Sequence, residues 1–268
     1  MNPTHALRCL LGILTREALR FVHQRERFIA ALVRPMVWLL IFAAGFRAAL
    51  GISIVEPYDT YIEYEVYIVP GLVAMIQLFN GMQSSLSMVY DREMGSMRTL
   101  LVCPLPRWYL LLCKLLAGTL VSILQVYAFL AAAAAFGIVL PVSGYFAVLP
   151  ALIICGLMLG AFGMVLSSLI RQLENFAGIM NFVIFPTFFL SPALYPLWKM
   201  QESSDFLYQL CSLNPFTYVV ELVRFSLYGQ LNGMAAIFVA GALLTCMSLA
   251  VYAYDPGRGM VGRKRAGS

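Results

Sequence analysis

Six stretches of the chain are predominantly apolar: Val33–Ala49, Ile68–Val89, Leu110–Leu140, Phe146–Ile170, Phe176–Leu194 and Ala235–Tyr252. A helix that crosses the hydrocarbon core of a bilayer needs about 20 such residues. The pattern therefore predicts an all-α integral membrane protein with six transmembrane helices. A seventh apolar stretch, Phe216–Leu227, is too short to cross and carries Glu221 and Arg224. It is expected as an interfacial or re-entrant helix, with its free backbone groups covered by protein or water. Ahead of the first span, Thr4–Leu32 has the pattern of one amphipathic helix. Leu7, Leu11, Leu14, Ala18 and Phe21 recur at spacings of four and three and form a single stripe. Arg8, Arg16, Arg20 and Arg27 fall on the other faces, which suits a helix lying among lipid headgroups. Pro35 follows Arg34 and fits the first turn of the next helix.

Composition agrees with this pattern. Of 268 residues, 61% are hydrophobic and 12% charged, with a mean hydropathy of +0.83. Soluble domains carry about 25% charge, so a soluble enzyme, a disordered chain and a small secreted domain are all excluded. Charge placement sets the orientation. With an inside N-terminus, six spans put residues 1–32, 90–109, 171–175 and 253–268 in the cytoplasm. Of the 18 Lys and Arg, only Arg47, Lys199 and Arg224 then lie on the outer side. Both termini are accordingly expected inside. The organisation expected is an N-terminal interfacial helix over 1–32, a six-span domain over 33–254 and a basic cytoplasmic tail over 255–268. Within the span domain, residues 90–109 form an inner loop and 195–233 an outer re-entrant segment. The net charge of +5 follows from the same rule and points to membrane lipids rather than nucleic acid. No cleavable signal peptide is expected, because the first apolar run begins after a long basic helix. The cysteines are divided between inner segments and spans, and Cys211 stands alone outside, so no structural disulfide is expected.

The chemistry missing from the chain narrows its function. The two histidines, His5 and His23, both precede the first span, and no Asp or Glu falls within the confident spans. No Gly-Lys-Ser/Thr motif is present, so the chain does not bind ATP through a P-loop. Catalytic residues, metal ligands and a resident cofactor are not expected. An ion-coupled carrier commonly holds an ionisable residue inside its bundle, and none is evident here. Uphill transport would draw its energy from a partner; a passive channel or carrier without an ATPase also fits.

Polar residues inside spans mark candidate path or packing positions. The second span carries Gln77, Asn80, Gln83, Ser84, Ser85 and Ser87, the third Gln125, and the fifth Asn181 beside Phe176, Phe182, Phe185, Phe188 and Phe189. Such groups either hydrogen-bond between helices or border a wet path or an interface between copies. Gln77, Asn80, Asn181 and Phe182 are the candidates for the path or dimer seam. Gly156 and Gly160 form a Gly-x-x-x-Gly pair in the fourth span, which permits close helix packing.

The loop after the second span is the most distinctive segment. It reads Asp91-Arg92-Glu93-Met94-Gly95-Ser96-Met97-Arg98-Thr99-Leu100-Leu101, then Pro104 and Pro106. It resembles the first cytoplasmic loop of type 2 ABC exporter permeases, with Ser96 where Thr is commoner. Ser191-Pro192-Ala193-Leu194-Tyr195-Pro196 and Asn214-Pro215-Phe216-Thr217-Tyr218, the latter followed by Glu221 and Arg224, resemble two further segments of that family in the same order. Permeases of nodulation-factor, polysaccharide and drug exporters share this layout.

The resemblance implies a mechanism. Two copies of the chain would pair as a homodimer around the path, above two copies of a separate ATPase that holds ATP and Mg. Asp91, Arg92, Glu93, Gly95, Ser96, Arg98 and Thr99 would form the coupling helix seated in that ATPase. Arg16, Arg20 and Arg27 would provide a second contact. The first, second and fifth spans would border the path. Pro192, Pro196, Asn214, Pro215, Glu221 and Arg224 would belong to re-entrant helices capping it from outside, and Glu221 and Arg224, three apart, can pair across one helical face. The polar second span and aromatic fifth suit an amphiphilic cargo such as a lipid, glycoconjugate or drug, moved outward across a bacterial inner membrane.

Overall fold

The computed structural model describes residues 3–23, 25–46, 57–58, 63–93, 105–170 and 173–254. Every regular element among them is helical: α1 (Pro3–His23), α2 (Arg25–Phe46), α3 (Tyr64–Glu93), α4 (Arg107–Ala135), α5 (Val142–Leu169), α6 (Leu173–Phe189), α7 (Leu197–Ser203), α8 (Asp205–Leu213), α9 (Pro215–Leu227) and α10 (Gly233–Ala253). Four stretches are long and apolar enough to cross a bilayer: Tyr64–Tyr90, Arg107–Ala135, Val142–Leu169 and Gly233–Ala253. Two further apolar helices, Leu32–Phe42 and Gly178–Phe189, are shorter. The four correspond to the second, third, fourth and sixth stretches of the sequence. The short pair lies within the first and fifth.

Several boundaries differ from the pattern. The Thr4–Leu32 helix is split: α1 ends at His23 and α2 begins at Arg25. Pro35 therefore sits inside α2 rather than in a first turn, which removes one internal hydrogen bond there. The third stretch ends early, at Ala135. Phe136 and Gly137 close the helix with backbone bonds to Ala132, Ala133 and Ala134, and Gly137 has φ +88°, a conformation that glycine adopts without strain. The fifth ends at Phe189, where residues 190–196 turn away. The basic tail, residues 255–268, lies outside the described residues.

The centre of the bundle is α3, which packs on α5, α4, α2, α6 and α9. Ile68, Val69, Leu72, Val73, Leu78 and Met82 of α3 are all fully buried. Close approach comes from small residues. A Cβ on Gly81 would sit 2.9 Å from the Gly160 nitrogen, and one on Gly160 would sit 2.8 Å from Leu115 Cδ2. Gly81 and Gly160 thus bring α3 and α5 to backbone contact. The last helix, α10, lies on α5 and α9 and buries only Ala235, Val239 and Ala250. Its remaining apolar surface is open to lipid or to another chain.

The amphipathic α1 uses two faces. Ala6 and Ile13 are buried, and Cys9, Leu10 and Leu14 pack with Ile13 against Leu110, Cys113 and Ala117 of α4. Tyr109 also donates to Ala6 O at 2.8 Å. Leu7, Leu11 and Ala18 of the periodic stripe stay exposed. That stripe is free for the bilayer surface, while its neighbouring face grips the bundle.

Candidate functional site

The residues between the short apolar helix α6 and the last span α10 form a cap over one end of the bundle, and its chemistry converges on Pro192 O. The cap begins where α6 stops. Ser191 Oγ donates to Phe188 O at 2.6 Å and accepts from Ala193 N, a local turn typical of serine. Prolines at 192 and 196 keep the segment out of helix. The loop is then pinned to the start of α3. Tyr64 donates to Leu194 O at 2.7 Å and Tyr67 to Pro192 O at 3.1 Å. One turn further along α3, Gly71 presses against Ala193 so closely that a Cβ would overlap its carbonyl oxygen.

Arg224 closes the same node from α9. Its Nη2 donates to Pro192 O at 2.6 Å, and its guanidinium carbon lies 4.1 Å from the centre of the Tyr67 ring. The residue is 5% exposed, so a cation is held inside the protein by a carbonyl and an aromatic face. Tyr58 and Tyr228 stack edge to face at 4.8 Å beside it. Burial raises the Tyr58 hydroxyl above its ordinary value and pushes Tyr228 up to about 12, with Arg224 pulling both the other way. Both stay neutral near pH 7.

The expected Glu221–Arg224 pair does not form. No ion pair joins them, because the guanidinium turns inward to Pro192 O and the Tyr67 ring. Glu221 is half-buried on the same helix. Burial raises its carboxyl pKa, and the nearby Arg224 offsets part of that rise. The helix carrying both is well capped. Asn214 Oδ1 accepts from Phe216 N at 3.0 Å, and Pro215 occupies the first helical position. The Asn214 amide also donates to Thr187 O and Leu190 O at 2.7 and 2.6 Å, tying α9 to the end of α6. Pro192, Asn214 and Arg224 are thus brought into one structure, with Pro196 and Pro215 starting α7 and α9.

The polar residues of α3 lie within the bundle. Gln77 is fully buried and donates to Leu152 O of α5 at 2.8 Å. Asn80 donates to Gln125 Oε1 at 2.5 Å and to Ser122 Oγ at 3.3 Å, both on α4. Asn181 and Phe182 sit apart from them, exposed on α6. An aromatic cluster runs between α2, α3 and α6: Trp38 contacts Phe42, Phe188 and Phe189, and Phe79 contacts Phe185. Arg34 caps it with its guanidinium 4.0 Å from the Phe79 ring. Sequence reasoning missed this Arg34 contact and the role of Tyr64 and Tyr67. An arginine beside an apolar span, and two tyrosines one helical turn apart, were the available signals.

At the other end of α3, Asp91, Arg92 and Glu93 form its last residues, and their side chains lie outside the described set. Gly95, Ser96, Arg98 and Thr99 fall in 94–104, also outside the described residues. Arg16 is exposed on α1 and pairs with Glu17 at 2.8 Å. The side chains of Arg20 and Arg27 are not described.

Long apolar helices around a glycine-packed core, with a cap built on a buried arginine, define a multi-pass integral membrane protein. Comparison with known proteins gives the class. The ABC-2 type transporter family matches residues 9–228, and the chain belongs to that family: it is the permease, or transmembrane, subunit of an ABC transporter. It is 30% identical over 216 residues to the transport permease ycf38 of Cyanophora paradoxa, covering 76% of this chain and 70% of that one. The ycf38 permease of Pyropia yezoensis is 26% identical over 225 residues, covering 82% and 74%. The multidrug ABC transporter permease YbhR of Escherichia coli K12 is 30% identical over 170 residues, covering 62% of this chain and 45% of its own length. Membership makes the chain a transport subunit rather than an enzyme and implies an ABC ATPase subunit as its partner.

Proposed function

We propose that the chain is the membrane-spanning half of an ATP-driven exporter. Two copies form the translocation path, and two copies of a separate ATPase bind ATP and Mg beneath them. The observation that carries this reading is α3. It runs as one helix from the Pro192 node to Asp91–Glu93, with Pro70 inside it between the Tyr67 and Gly71 ties, so a single element joins the cap to the charged loop. Coupling needs such an element, with different contacts in the two states of the ATPase.

In this reading α2 and α6 are the first and fifth of six spans. Both termini lie on the cytoplasmic side of a bacterial inner membrane, and the cap faces out. Asp91, Arg92, Glu93, Gly95, Ser96, Arg98 and Thr99 form the coupling helix, whose charges select the ATPase surface. Arg16, Arg20 and Arg27 on the membrane-surface helices make the second contact. The aromatic cluster around Trp38, Phe79 and Phe185, with Arg34 at its edge, suits an amphiphilic cargo; outward movement is the direction the family resemblance implies.

The test is purification of the tagged chain with the P-loop ATPase encoded beside it, followed by hydrolysis assays in lipid nanodiscs. A stable two-plus-two complex is expected. Charge reversal at Glu93 or Arg98 should abolish the permease-dependent stimulation while leaving membrane insertion intact. A chain that is stable alone and binds no ATPase would overturn this reading in favour of a passive channel or carrier. Normal stimulation in both variants would remove the coupling role of the loop.

A further inference from the structure

A small cavity with polar groups on its wall lies inside the bundle where α3, α4 and α5 meet. Gln77 and Ser84 line it from α3, Thr119 and Ser122 from α4, and Gly156 and Gly160 from α5. About 10 Å³ is open to the centre of a water-sized sphere, close to the minimum for one water molecule. Two of its lining residues carry buried polar atoms without a protein partner, Gln77 Oε1 and Thr119 Oγ1. Gln77 is 0% exposed and Thr119 4%. The amide orientation is fixed chemically. Its nitrogen donates to Leu152 O, and the reverse assignment would set two carbonyl-type oxygens against each other. Oε1 is therefore an acceptor without a protein donor.

Two such orphans on the wall of one cavity are costly in a membrane interior. We propose that one structural water occupies this cavity. It donates to Gln77 Oε1 and shares a second hydrogen bond with Thr119 Oγ1. The Ser122 hydroxyl already accepts from Asn80, and its proton offers a third bond. That gives the roughly three partners usual for a buried water. The lining residues carry amides and hydroxyls but no carboxylate, so a cation would bring an uncompensated charge into the bundle. The chemistry fits a neutral ligand. Water here gives α3 and α4 a shared, exchangeable bond in place of a fixed one.

Hydroxyl-radical labelling by millisecond X-ray radiolysis tests this on the full-length chain in lipid nanodiscs. Bound water generates radicals where it sits. Leu115 lines the cavity and is 2% exposed, whereas Leu152 is equally buried but lies outside the lining. Leu115 should be modified and Leu152 spared, with 18O incorporated after exchange into labelled water. Thr119→Val should diminish the Leu115 label and lower the thermal midpoint, because it strands the water. Equal protection of both leucines, or a midpoint in Thr119→Val that is unchanged or raised, would overturn the proposal, since removing an orphan hydroxyl from a dry cavity does not destabilise. Repeating the labelling with caesium, an inert ion larger than the water-sized space, in place of sodium addresses the cation: a Leu115 pattern that depends on sodium would also overturn it.

Discussion

Pro192 O accepts two hydrogen bonds, from the Tyr67 hydroxyl and from Arg224 Nη2, and this redundancy makes a sharp prediction. Tyr67→Phe removes one donor and leaves the carbonyl satisfied by Arg224, so it should cost about 1 kcal/mol. Arg224→Met keeps the apolar stem and leaves the carbonyl satisfied by Tyr67. It loses a charge-assisted bond of about 1.5–3 kcal/mol, but it also removes a buried cation whose desolvation costs several kcal/mol. The net effect should lie within about 1 kcal/mol of zero, with either sign. The double variant differs in kind, because a buried carbonyl is left with no donor, an added penalty of about 1–3 kcal/mol. The phenylalanine ring preserves the face on which Arg224 stacks, so the excess isolates the shared acceptor. Reversible unfolding of the full chain in mixed micelles, followed by tryptophan fluorescence, measures all four members of the cycle. A double variant that loses no more than the sum of the singles, within about 0.5 kcal/mol, would refute the shared-acceptor account.

Gly71→Ala should be among the most damaging single-atom additions, since the new methyl meets the backbone of Ala193; a loss of about 3 kcal/mol is expected in the same unfolding assay. Glu221 binds its proton more tightly in the folded chain than its ordinary 4.5 allows. Its contribution is therefore fully present below about pH 4.5 and is lost as pH rises through the raised value. Glu221→Gln should raise the midpoint at pH 7 and flatten its rise on acidification, as thermal melts from pH 4 to 8 would report. Asn214→Ala should cost about 1–3 kcal/mol, because it removes the cap of α9 and two bonds to the end of α6; Asn214→Ser should recover only the capping share.

Much of this architecture could be read from the chain alone. Apolar run length located the four helices long enough to cross a bilayer among the described residues, because lipid imposes one requirement on every crossing segment; the first and fifth stretches hold shorter apolar helices. The Gly156–Gly160 pair signalled close packing, and α9 was recognisable as the apolar run Phe216–Leu227, too short to cross. Partner choice was harder to see. Glu221 and Arg224 are three apart in sequence, yet the guanidinium leaves its helical neighbour for Pro192 O, 32 residues away. No local pattern encodes that, since it depends on how the loop and α3 come together. Periodicity likewise marked Leu7, Leu11 and Ala18 as the apolar face of α1, while the protein buries Ala6 and Ile13. Both faces are apolar enough to serve, and only the position of α4 decides between them. Gln77 and Asn80 were visible as polar intrusions, but which helices they would bridge was set by the tertiary fold.

The three ties between α3 and the cap, at Tyr64, Tyr67 and Gly71, have a mechanical consequence. A 30-residue helix is about 45 Å long at 1.5 Å per residue. In the exporter proposed above, with the cap fastened to one end and the Asp91–Glu93 segment at the other, α3 would work as a lever arm. At that length a swing of about 5° at a mid-helix pivot moves each end by roughly 2 Å, in opposite directions. Push at one end would then become displacement at the other through a single helix, with the helices packed around it shifting to accommodate the swing. The fulcrum is the glycine contact between Gly81 and Gly160, where two backbones touch with no side chain between them. A bulkier residue there would not merely crowd the core. It would move the pivot, and with it the gearing between the two ends of the molecule.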